Sequence, residues 1–120
     1  MLLENTIEVN SVAHDTVKTY YKMVRDGIPQ IIEACGKKWC WETLTNEQFV
    51  AMLDEKLNEE LAEYQDSKDI EELADLIEVI RAVTIARGFT LDDLERVRAE
   101  KAAKRGGFEK RILLKEVVEE

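Results

Sequence analysis

The chain reads as an all-α protein built around an antiparallel helical hairpin, and three observations carry that expectation. There is one proline and there are five glycines in 120 residues rich in Glu, Lys, Leu and Ala, so helix formers abound and breakers are few. Apolar residues recur with helical spacing between recognisable start and stop signals. A carboxylate pattern occurs twice, as Glu59-Glu60-Leu61-Ala62-Glu63 and as Glu71-Glu72-Leu73-Ala74-Asp75. Acids three residues apart line one face of a helix.

Taken in order, the first twenty residues are weakly patterned. Thr6 to Val9 suits a short strand, and Val12 to Tyr21 is ambiguous. Asp26-Gly27-Ile28-Pro29 is a helix start, with proline in the first turn, and the helix should run to about Ala34 before Gly36 ends it. Trp39 to Glu42 alternate in the manner of extended chain. Thr45, with Gln48 three residues on, forms a capping box that opens a long helix to about Gln65. Asp66 to Asp69 break it, with Ser67 as the expected N-cap of a second helix ending at Gly88. Thr90 and Asp93 repeat the capping box for a third, which stops before Gly106-Gly107. Residues 108–117 suit a short strand or an extended tail. A tight turn makes the two central helices a hairpin within a four-helix-bundle-like domain. Apolar residues around much of their circumference call for completion by dimerisation.

The direction of the acids decides their meaning. With Glu60 at zero on a helical wheel, Glu63 falls at about 300°, and Phe49, Leu53, Leu57 and Tyr64 lie between about 340° and 60°. With Glu72 at zero, Asp75 falls near 300°, and Leu76, Val79, Val83 and Ala86 lie between about 320° and 40°. Both acid pairs thus share a sector with apolar residues, where like charges need compensation. A hard divalent cation supplies it, because Mg²⁺ prefers carboxylate oxygens and waters. A di-iron bundle would need two Glu-x-x-His pairs, and the chain has one histidine, His14.

Composition narrows the class further. At 120 residues the expectation is one domain over 1–120, with 45% hydrophobic and 36% charged residues, an ordinary globular balance. No apolar run is long enough for a membrane span. Met1-Leu2-Leu3-Glu4 lacks the basic and apolar segments of a signal peptide, so cytoplasmic residence is expected. Cys35 and Cys40 fit as reduced thiols, since neither a disulfide framework nor a zinc site can be assembled from them. The net charge of −9 is uneven: residues 96–115 hold eight bases against two acids, a segment of +6, leaving −15 elsewhere. That strip suits either a phosphate-binding edge or a tail pairing with the acidic body. It suits long nucleic acid poorly, because a duplex calls for a broad basic surface. Trp39 and Trp41 are expected in core or dimer packing.

The pattern Glu-Glu-x-x-Glu followed by Glu-x-x-Asp resembles the all-α nucleoside triphosphate pyrophosphohydrolases, the MazG-like superfamily that includes phosphoribosyl-ATP pyrophosphohydrolase. Tyr21-Lys22-Met23-Val24-Arg25-Asp26 with Ile28-Pro29 and Ile31-Ile32 is similar to the opening of a compact subgroup, and Lys104-Arg105-Gly106-Gly107-Phe108 to its ending. Gly27 stands where that subgroup usually has lysine, and the spacer between Glu63 and Glu72 is shorter than in the larger branches. The resemblance covers residues 20–117, leaving 1–19 as an extension. It implies Mg²⁺-dependent (or Mn²⁺-dependent) cleavage between the α- and β-phosphates of a nucleotide. Glu60, Glu63, Glu72 and Asp75 would be metal ligands, Glu59 would orient or deprotonate the attacking water, and Glu78 would support the ligands. Lys56 would meet a phosphate or offset the acids, and Arg25, Lys101, Lys104 and Arg105 would contact phosphate. Phosphoribosyl-ATP hydrolysis and a non-catalytic helical interaction module are the alternatives.

Overall fold

The computed structural model describes residues 17–119, and the described residues are all-helical apart from loops and turns. The strand expected at Thr6 to Val9 and His14 lie outside them. Four helices follow in order: α1 (Ile28–Ala34), α2 (Asn46–Ser67), α3 (Ile70–Ala86) and α4 (Leu91–Arg105).

Local signals set most boundaries. Pro29 sits in the first turn of α1, and Gly36, at φ +75°, takes the left-handed conformation that closes it. At α2 the Thr45 hydroxyl accepts from the Gln48 N–H while the Gln48 side chain accepts from the Thr45 N–H. Thr90 and Asp93 make the same reciprocal pair at α4. One boundary differs from expectation. Ser67 is the last residue of α2, and Asp69 is the N-cap of α3. The Ser67 hydroxyl still accepts from the Asp69 N–H at 3.1 Å, stabilising the turn from within the preceding helix. Lys68 makes the reversal itself, at φ +62°.

The turn folds α3 back against α2, which is the dominant packing among the described residues. Arg87, just past α3, bonds Asp54 near the start of α2 at 2.8 Å, marking the antiparallel register. Both partners are half-exposed, so the pair contributes at most about 1 kcal/mol. The seam between the helices holds buried Leu53 and Val79, and Ile28 of α1 joins the core. Phe49, Leu57, Tyr64, Leu76, Val83 and Ala86, the other residues on the two inward faces, are half-buried. With so few buried apolar side chains among the described residues, each should count heavily. Leu53→Ala is expected to cost about 2–5 kcal/mol, read as a lower denaturation midpoint, whereas exposed Leu61→Ala should change it little.

Much apolar surface stays open. Ile70, Ile77 and Ile85 on α3 are 57–75% exposed, and α4 buries no residue. Trp39 and Trp41 stack on each other, with ring centroids 5.2 Å apart, and Trp41 stays exposed, so within this chain the pair is outside the core. Beyond α4, residues 111–119 have no regular structure and no strand partner among the described residues. No helix among the described residues is long and apolar enough to cross a membrane.

Candidate metal centre

The hairpin register brings the two acid pairs together. Glu60 and Glu63 lie in the second half of α2, and Glu72 and Asp75 in the first turns of α3, so the tight turn sets them across from one another. One carboxylate oxygen from each of the four lies within 4.8 Å of every other. Opposite oxygens around Mg²⁺ are about 4.2 Å apart, twice a bond of about 2.1 Å. Four hard oxygen donors at this separation can hold a divalent ion after small side-chain adjustments.

Burial and like charge leave their mark on protonation. Glu60 is 1% exposed, the most deeply buried of the large side chains. Burial first, and the neighbouring Glu63 carboxylate second, push its carboxyl up to about 7. Burial also raises Glu72, with Glu63 and Asp75 adding to it. At Asp75 burial pushes upward, but cationic partners, Arg25 among them, hold the carboxyl below its ordinary value. The four acids are thus an electrostatically costly group on a face that the apolar residues draw inward.

Among the described residues, three cations stand around them. Lys56, one turn before Glu60, is buried, and its ammonium lies 3.1 Å from Glu59 Oε2 and 3.5 Å from Glu60 Oε1. In this position it offsets the acids. Arg25 Nη2 donates to Asp75 Oδ1. Lys22 Nζ reaches the other oxygen of Glu59 at 3.3 Å. Glu59 therefore sits between two ammonium groups. Burial raises its carboxyl, but Lys56 and then Lys22 outweigh that and hold it below its ordinary value.

Other expected site residues lie apart from this cluster. Glu78 is exposed, one turn further along α3, and is not among the four clustered acids. Lys101, Lys104 and Arg105 are exposed on the last turns of α4. Among the described residues α4 approaches α3 and makes no contact with α2. The turn at Gly88, φ +91°, launches it from the far end of α3, about 16 Å along the helix from Asp75 at 1.5 Å per residue. Among the described residues no ion pair joins Lys101, Lys104 or Arg105 to the four acids.

Lys22 is the participant that sequence reasoning missed. It stands in the same quoted motif as Arg25, three residues earlier, in a stretch without helical period to reveal its direction. No family model matches the chain, and no solved structure does. The chain is similar to an uncharacterized protein of Mycolicibacterium smegmatis, 42% identical over 50 residues. That stretch covers 40% of this chain and 51% of the relative, so the match spans about half the relative's length.

Proposed function

We propose that the protein is a Mg²⁺-dependent nucleotide pyrophosphohydrolase, cleaving the α–β phosphate bond of a nucleoside triphosphate or related nucleotide to a monophosphate and pyrophosphate. The observation that carries this reading is the convergence of Glu60, Glu63, Glu72 and Asp75 from two helices to within 4.8 Å. The resemblance of the surrounding motifs to the MazG-like pyrophosphohydrolases supports it. Mn²⁺ would substitute, having similar oxygen preference.

In this reading the four acids hold the metal, which when bound supplies charge neutralisation for phosphate oxygens and a more acidic water. Phosphoryl chemistry asks the protein chiefly for positioning and electrostatic stabilisation. Glu59, kept ionised by Lys56 and Lys22, accepts a hydrogen bond from the attacking water and orients it. Its depressed basicity favours orientation over full proton removal. Lys56 keeps the inner carboxylates from repelling one another apart. A second copy of the chain is the expected partner, since the exposed apolar residues of α3 call for cover. Its α4 is one source from which Lys101, Lys104 and Arg105 would reach the phosphates. A cytoplasmic location fits a nucleotide substrate.

The test is pyrophosphate release from a panel of nucleoside triphosphates, with Mg²⁺ and with excess chelator. Activity on at least one nucleotide that disappears with chelator is expected. A purified, folded protein inert across the panel with both Mg²⁺ and Mn²⁺ would overturn the assignment.

A further inference from the structure

Resting on that reading of the metal centre, we propose that Lys22 and Arg25 form the pyrophosphate-binding arm of the site, parked on acids that the incoming ion and substrate displace. The two residues lie three apart on the non-helical segment before α1, and each is anchored to a different helix of the hairpin. Lys22 reaches Glu59 on α2, and Arg25 reaches Asp75 on α3. The segment is thereby tied to both helices beside the acid cluster and holds two cations there.

Both side chains keep access to solvent. The Arg25 side chain is 53% exposed and Lys22 33%, whereas Lys56 is 9% exposed and is committed to the interior. A guanidinium has five donors in a planar fork, and one nitrogen here serves Asp75. The fork matches the paired oxygens of a phosphate as well as those of a carboxylate. A divalent ion taken up by Asp75 repels the guanidinium on the same carboxylate, while a diphosphate beside that ion attracts it. This assigns phosphate contacts to the segment before α1 of the same chain, beside any that α4 of a second copy supplies.

The experiment compares wild type with Lys22→Gln and Arg25→Gln, each checked for native circular dichroism. Two titrations are made by calorimetry: Mn²⁺ alone, then inorganic pyrophosphate onto the Mn²⁺-saturated protein. Both variants are expected to bind pyrophosphate about tenfold more weakly or worse. Mn²⁺ affinity should be unchanged in Lys22→Gln and equal to wild type or a few-fold tighter in Arg25→Gln, since a competing cation has gone. Arg25→Lys should recover part of the pyrophosphate affinity through charge without the fork. If Arg25→Gln weakens Mn²⁺ binding, Arg25 merely orients Asp75 and the arm is wrong. Wild-type pyrophosphate affinity in either glutamine variant would overturn it equally. Wild-type protein that fails to bind Mn²⁺ would instead remove the metal centre itself, and the arm with it.

Discussion

Glu60→Gln is expected to abolish metal-dependent pyrophosphate release while making the metal-free protein more stable at pH 8. Removing a residue one step removed from a bound metal already costs about 10–100-fold in affinity or activity. Losing the most deeply buried of the four ligands should therefore cost at least about 100-fold in kcat/KM. The stability effect has the opposite sign. Glu60 is pushed up to about 7 by burial and by Glu63, so its ionised form is the unfavourable one in the fold. The glutamine isostere keeps the shape and carries no charge, and Lys56 retains its 3.1 Å partner in Glu59. Thermal melting in chelator at pH 8 should therefore rise in Glu60→Gln, and added Mg²⁺ should shift it far less than in wild type. A variant that loses stability in chelator would show that Glu60 is held as a favourable ion-pair partner. Asp75→Asn should share the catalytic loss without the gain, since the Asp75 carboxyl lies below its ordinary value and its charge is favourable in the fold. Activity in both variants at the wild-type level would remove the site.

Wild-type stability in chelator is expected to fall as pH rises from about 4.5 to 7, and Mg²⁺ to restore it. The sign follows from linkage. The Glu60 carboxyl has an ordinary value of 4.5 and a folded value of about 7, so in that window the native state binds more protons than the unfolded chain. Its contribution to stability is fully present below 4.5 and is lost as pH rises through 7. One such proton changes stability by at most about 1.4 kcal/mol per pH unit. Glu72, raised in the same direction, adds to the slope, while Asp75 and Glu59, both depressed, oppose it at lower pH. Metal binding needs the carboxylates deprotonated, so the ion must expel the Glu60 proton below pH 7. Apparent Mg²⁺ affinity should then drop about tenfold per pH unit below 7, and the Mg²⁺-induced melting shift should grow between pH 6 and 8. A shift independent of pH across that range would mean that the ion binds elsewhere.

The two predictions turn on residues whose inward direction is visible in the order of the amino acids. A helix repeats every 3.6 residues, so the wheel positions of Glu60, Glu63, Glu72 and Asp75 beside Leu53, Leu57, Val79 and Val83 follow from spacing alone. The capping boxes at Thr45 and Thr90 are equally local, each closed within four residues. Where a competing local choice existed, spacing was less decisive. Ser67 and Asp69 are both good N-caps, and the left-handed turn at Lys68 awarded the role to Asp69.

What the sequence by itself determined is the all-α class, the helices and most of their ends, and the inward face that carries four acids. Only the tertiary structure decided that the two acid pairs meet within 4.8 Å, because that depends on the register of α2 against α3. It alone brought Lys22 and Arg25 to Glu59 and Asp75 from a segment with no period to read. It also kept α4 off α2, through the turn at Gly88. The physical reason is range. Helix phase and capping are settled by residues within a turn or two of one another, whereas the meeting of charges 9 to 50 positions apart is settled by packing and electrostatic compensation across elements.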